Sequence, residues 1–177
     1  WGLDYNLSYR RHFPAINWLI SYSLYSDRLA EWYKTNVSRD WNKYKGDMMR
    51  ILQEEAELDE IVRLVGVDAL SPMDRVTLES ARSIREDFLQ QDAFNDVDTY
   101  TTLDKQFKML KIILSFYYKA REAVSKGVDI KALFDLPVRE NIGRAKYVPQ
   151  NEIEAAYSKI ENDLESQIEA LYAKEER

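Results

Sequence analysis

The chain has 177 residues, 45% of them hydrophobic and 32% charged, with a net charge of −6 and no cysteine. That length suits one domain with room for part of a neighbour, and the composition is that of a folded globular chain rather than a disordered one. The missing cysteines exclude disulfides and thiolate metal sites, the acidic balance argues against nucleic acid as a main partner, and no apolar run reaches the ~20 residues of a membrane-spanning helix.

Residues 1–12 (WGLDYNLSYRRH) show no helical period and are expected to finish a strand or a loop. The chain opens on Trp1 with no leader-like pattern, so we expect a helical piece of something larger rather than a complete enzyme. Pro14 disfavours the α region at Phe13, which places that ring on an extended segment. From Ser38 to Val65 the apolar residues Trp41, Tyr44, Met48, Ile51, Leu52, Leu58, Ile61, Val62 and Val65 recur at spacings of three and four, which predicts a helix. Ser38 is its expected N-cap and Gly66 its C′ residue. Glu54, Glu55, Glu57, Asp59 and Glu60 between the apolar positions read as a solvated acidic face or a docking face for a basic partner.

A short connector, Gly66 to Leu70, leads to Ser71-Pro72-Met73-Asp74, which has the form of a helix start. Ser71 can cap, Pro72 suits the first helical position, and Asp74 resembles the third member of a capping box. The next helix, 72–90, carries Met73, Val76, Ala81, Ile84 and Phe88 on its buried stripe, so 38–65 and 72–90 form an antiparallel hairpin. Residues 90–98 break the period. A helix over 103–125 follows, capped by Thr102 and stopped at Gly127. Short pieces at 130–135 and 138–146 come next. A last helix from about Gln150 to Lys174 buries Ile153, Tyr157, Ile160, Leu164, Ile168 and Leu171. The predicted fold is all-α: a bundle of about five or six helices with an irregular aromatic N-terminal arm.

Little chemistry is available in these residues. Glycines stand only at 2, 46, 66, 127 and 143, so no glycine-rich phosphate loop can form. His12 is the only histidine, with no serine or cysteine partner in view, and reads as structural. Arg10 and Arg11 read as a surface pair. Asp92, Asp96 and Asp98 lack the spacing and the glycine of a calcium loop, so no metal site is expected. Phe13 in its extended segment and Phe94 in its polar loop lie off any helical stripe. Either both fill gaps in the core, or both form an apolar slot for a planar ring.

The run Tyr9 to Tyr25 (YRRHFPAINWLISYSLY) resembles the catalytic A subunit of archaeal-type and vacuolar-type rotary ATPases, as do Ile51–Leu58 with Ile61–Gly66, and Asp87–Phe94. These matches span most of residues 1–126. The resemblance implies that residues 1–25 are the tail end of a nucleotide-binding domain and that 26–177 are the C-terminal helical domain. It implies a parent enzyme that hydrolyses or makes ATP while moving protons or sodium ions. The phosphate loop would lie upstream, so this piece alone is expected to be inactive and to hold no cofactor, with ATP or ADP and Mg bound by the parent.

The resemblance also assigns Phe13 and Phe94 to the two faces of an adenine ring, with Pro14, Gln90, Gln91 and Ala93 nearby. Asp68, Ala69, Leu70, Ser71, Pro72, Met73 and Asp74 align with an acidic stalk-contacting loop of F-type beta subunits. Only two of its acids are kept, so contact by shape is the safer expectation than contact by charge. The implied partners are non-catalytic B subunits in an alternating hexamer and the central stalk, on the cytoplasmic side of a membrane, with no nucleic acid and no direct insertion. The alternative is a stand-alone helical interaction module with no nucleotide role.

Overall fold

Leu103–Ser125 is the centre of the molecule, and its composition explains why. Ten of its residues are buried, among them Met109, Leu110, Ile112, Ile113, Leu114, Phe116 and Tyr117, so it is apolar on more than one face. A helix of that kind needs partners around it. In the computed structural model, which describes residues 1–175, it receives them from three other long helices. Residues 176 and 177, the end of the expected helical domain, lie outside the described residues.

In chain order, β1 (Gly2–Leu3), α1 (Tyr5–Tyr9) and β2 (Ile16–Asn17) form a small N-terminal unit. The helices α2 (Ser26–Asn36), α3 (Trp41–Val65) and α4 (Pro72–Ser83) follow, and α4 continues as a π-helical turn over Ile84–Leu89. Then come α5 (Leu103–Ser125), α6 (Ile130–Phe134), α7 (Val138–Arg144) with a 3₁₀ turn at Ala145–Tyr147, and α8 (Ile153–Glu175). The all-α expectation holds, with eight helices among the described residues. The six anticipated from periodicity are all present. The additional pair, α1 and α2, bury no residue fully and so carry no strong apolar stripe.

The caps are largely those read from the sequence. The Ser71 hydroxyl accepts the Asp74 N–H at 3.2 Å and donates to the Asp74 carboxylate at 2.7 Å, starting α4. The Thr102 hydroxyl accepts the Lys105 N–H at 3.2 Å, starting α5. Gly66 and Gly127, at φ +87° and +92°, end α3 and α5 in the left-handed region that glycine tolerates. Ser38 does not cap α3. Its hydroxyl accepts the Asp40 N–H at 3.2 Å in the turn before Trp41.

Helices α3 and α4 pack as the expected hairpin, and both lie on α5. Helix α8 runs parallel to α5. Lys108 meets Glu154, Lys111 meets Glu161 and Lys119 meets Glu165, so contacts advance along both helices together. The crossover through α6 and α7 makes that direction possible. These ion pairs are partly solvated and contribute little each. The six-residue apolar stripe of α8 does the work: Ile153, Tyr157, Ile160, Leu164, Ile168 and Leu171 are all buried.

The buried part of α3 stops at Glu55 and its last turns extend beyond the core, so Ile61 and Val65 are exposed. One reading of α3 needs correction. Glu55 is buried rather than solvated, because α4 brings Arg85 to it, with Arg85 Nε donating at 3.0 Å to one carboxylate oxygen and at 3.1 Å to the other. Burial raises the Glu55 carboxyl above its ordinary value, and Arg85 opposes the rise.

Ile51 is fully buried and Leu64 is 84% exposed, so the stability of the two alanine variants should differ sharply. Ile51→Ala is expected to cost about 3 kcal/mol, and Leu64→Ala less than about 0.5 kcal/mol, in urea denaturation. Arg85→Met strands the Glu55 carboxylate and is expected to cost about 2 kcal/mol at neutral pH. A folded-state pKa above the unfolded one leaves stability intact at low pH and removes it as pH rises through the folded value. The Arg85→Met deficit should therefore shrink as pH falls toward 4.5, the ordinary carboxyl value.

Candidate functional site

The N-terminal unit delivers residues 12–14 to one end of the bundle. Asp4 caps α1 by accepting the N–H groups of Asn6 at 2.8 Å and Leu7 at 3.2 Å, and Asn17 Nδ2 donates to its other oxygen at 2.9 Å. Strands β1 and β2 pair antiparallel, with Gly2 opposite Asn17 and Leu3 opposite Ile16. Helix α1 ends with Arg11 N–H donating to Ser8 O at 2.9 Å and His12 N–H to Leu7 O at 2.9 Å. That is the Schellman pattern, with Arg11 at φ +59° where glycine is usual. The missing glycine is why no helix end was legible here. The Phe13–Pro14 peptide is cis.

His12 is structural, as its isolation implied. It is buried, with one ring nitrogen 3.2 Å from Pro14 O and the other 3.0 Å from Arg85 O. Arg85 O also accepts the Gln90 N–H at 2.9 Å, the five-residue reach of the π turn. One carbonyl thus ties the arm to the end of α4.

The next residues of the two segments meet directly. Gln91 N–H donates to Phe13 O at 2.7 Å, joining the expected HFP and QQDAF segments by backbone. The loop beyond is laced around Asp98, a buried carboxylate whose Oδ2 accepts the Asp92 N–H at 2.6 Å. Gln91 Nε2 donates to Asp98 O at 3.3 Å, Asp92 Oδ1 accepts the Phe94 N–H at 3.0 Å, and Thr99 Oγ1 donates to Ala93 O at 3.2 Å. This order leaves the Phe94 ring 99% exposed and the Phe13 ring 55% exposed. Neither fills a gap in the core of the described residues.

A cavity of about 200 Å³ lies beside them, lined by Pro14, Phe88, Leu89, Gln91, Asp98, Thr101, Gln106 and Met109. Of the six residues expected at an adenine site, Pro14 and Gln91 line it. Phe13, Gln90, Ala93 and Phe94 lie outside its lining. Gln106 and Asp98 were not singled out as site residues. Gln106 sits on a helix as one polar residue among many, and Asp98 becomes notable only through its burial.

At the far end of the hairpin, a 3₁₀ turn over Val67–Ala69 joins α3 to α4. Asp68, Ala69, Ser71 and Pro72 are exposed, and Met73 and Asp74 are half-buried. Leu70 is buried, so its side chain is not available for a surface contact as expected. Periodicity missed the exposed aliphatic group beside the turn, Ile61, Leu64, Val65 and Val67. The spacing of Ile61 and Val65 continues that of Ile51 and Leu58, so periodicity alone does not mark them as exposed.

Among the described residues no three His, Asp or Glu side chains are grouped to hold a metal ion, and no helix is long and apolar enough to cross a membrane.

The family model for the C-terminal domain of V and A type ATP synthase matches residues 30–134. The V-type ATP synthase alpha chain of Acetivibrio thermocellus is 65% identical over 175 residues, covering 99% of this chain. Those of Thermoanaerobacter pseudethanolicus and of Clostridium botulinum strain Okra are 53% and 55% identical, over 171 and 174 residues. The chain spans about 30% of the length of these relatives. With a family model over more than half its residues and the predicted helical hairpin in place, the chain belongs to the family of C-terminal domains of V and A type ATP synthases.

Proposed function

We propose that this chain is the C-terminal part of the catalytic subunit of a rotary ATP synthase or ATPase, and that it supplies the adenine-stacking side of the nucleotide site. The carrying observation is the 2.7 Å bond from Gln91 N–H to Phe13 O, made while both aromatic rings stay in solvent. A large apolar ring left outside the core is open to a ligand or a partner. Here two such rings lie on segments tied to one another. The adjoining cavity of about 200 Å³ is smaller than the ~300–1,000 Å³ of a complete ligand pocket. It suits one wall of a site whose phosphate-binding side is built by other residues.

In this reading residues 1–25 close the nucleotide-binding domain, and the helical domain begins at residue 26. Trp1, Tyr5, Tyr9, Tyr22, Leu24 and Tyr25 are exposed, as residues covered by an upstream domain would be in a separated piece. Helix α2 starts at Ser26. The parent subunit would bind ATP or ADP with Mg, alternate with B subunits in a hexamer and sit peripherally on the cytoplasmic side of a membrane, coupling catalysis to proton or sodium movement. The 177-residue chain by itself would be inactive, because the groups that bind the phosphates lie outside it.

The hairpin end would press on the central stalk. Its exposed surface combines the aliphatic Ile61, Leu64, Val65 and Val67 with the charged Glu60, Arg63 and Asp68. The exposed charges there are of both signs, so contact by shape and apolar burial fits better than contact by an acidic patch.

In the complete subunit, Phe94→Ala is expected to raise the Kd for ATP roughly tenfold, since stacking contributes about 1–3 kcal/mol per base. The melting temperature should not move, because the exposed ring holds no core together. Unchanged affinity in equilibrium nucleotide binding would reject the adenine slot. Leu64→Ser combined with Val65→Ser should lower the ions moved per ATP hydrolysed in the reconstituted complex while ATP affinity stays constant. Normal coupling in that assay would exclude these two residues from the stalk contact.

A further inference from the structure

We propose that Lys146 is a positioning residue for the base-binding loop, acting by clamping the Gln90–Gln91 peptide plane, and that Lys105 holds Lys146 in place. The inference rests on the adenine reading above.

The loop that carries Phe94 begins where the π turn Ile84–Leu89 ends, at Gln90. A helix end leaves carbonyls without partners and carries partial negative charge. Lys146, only 7% exposed, fills that role from another part of the chain. Its Nζ donates to Glu86 O at 2.9 Å and to Gln90 O at 3.2 Å. A peptide group is planar, and in the trans form its C=O and N–H point to opposite sides. The C=O of Gln90 and the N–H of Gln91 belong to one peptide. Lys146 therefore holds one edge of the plane while Phe13 O, at 2.7 Å from Gln91 N, holds the other. The orientation of this single peptide relates the segment of Phe13 to the segment of Phe94.

Lys146 is itself fixed by a second buried ammonium. Lys105, 1% exposed, donates to Lys146 O at 2.6 Å and to Val148 O at 2.8 Å. The Tyr157 hydroxyl adds a bond to Ala145 O at 2.9 Å, so the turn bearing Lys146 is held from α5 and from α8. Neither lysine has a carboxylate within ion-pair distance among the described residues. Both are instead solvated by carbonyls, with Asp98 and Asp87 acting at longer range. Burying an ammonium is costly, and an apolar side chain of similar length would pack at least as well. What a methionine would lack is the directional hold on Gln90 O.

The test uses the complete subunit in its assembled complex. Lys146→Met is expected to raise KM for ATP about tenfold with kcat within about twofold, and to shrink the preference for ATP over UTP. Lys146→Arg, which keeps donors for the two carbonyls, should restore most of that preference. Phe94→Ala serves as the reference. If Phe94→Ala raises KM and Lys146→Met leaves KM and the ATP/UTP preference unchanged, the lysine has no positioning role and the adenine slot stands. If neither variant changes KM, the slot itself is wrong. Should Lys146→Met fail to assemble, amide hydrogen exchange on the 177-residue chain decides. Exchange at Gln91 should accelerate at least tenfold while the amides of α5 keep their protection. Unchanged exchange at Gln91, or a uniform loss across α5, overturns the proposal.

Discussion

Helix α5 has to be covered on nearly every side, and the architecture follows from that requirement. Its buried residues run from Lys105 to Ala123, so no single partner can take them all out of water. The α3–α4 hairpin covers one side and α8 another, each adding its own apolar stripe. The parallel course of α5 and α8 then demands a crossover, which α6 and α7 supply. At ~25 cal/mol per Å² of apolar surface, burial on this scale outweighs the exposed lysine–glutamate pairs along the same interface. Those pairs mark the register of the two helices more than they hold them.

Where the core runs out, polar groups take over. At one end the carbonyls that close α4 are each claimed by a donor distant in sequence: Arg85 O by the His12 ring, Gln90 O by Lys146. The N-terminal arm is thereby fastened to the loop of residues 90–98, with half-buried Trp18 and Leu19 as its apolar contact with the core. The same arrangement leaves Phe13 and Phe94 open. At the other end, α3 simply outruns its cover, and its last turns present Leu64 and Val65 to solvent. The two ends proposed above for contact with other molecules are the two ends at which the core stops.

The long helices were legible because burial imposes a period on sequence. The stripe from Ile153 to Leu171 is buried throughout, and the expected limits of α5 agree with the observed ones. Helices α1 and α2 were illegible for the converse reason, since they bury nothing fully and α1 ends on Arg11 rather than glycine. The apolar spacing of α3 continues to Val65 although burial stops at Glu55, because spacing records which residues share a face, not whether anything covers that face. Phe13 and Phe94 were recognisable as misfits to any stripe, but their exposure in this chain could be read only from the structure.

The sequence by itself determined the helical class, the hairpin with its Ser71 and Thr102 caps, the absence of a glycine-rich phosphate loop, and the family resemblance of the two aromatic segments. These are matters of local propensity, spacing and composition. Only the tertiary structure decided the partners of the buried polar groups. Glu55 meets Arg85 from thirty residues away, and Lys146 meets Gln90 from fifty-six residues away. A lysine or glutamate in a helical stretch looks the same in sequence whether it faces water or a carbonyl. Its role is set by what the fold brings against it, and that depends on how α3, α4, α7 and α8 close around α5.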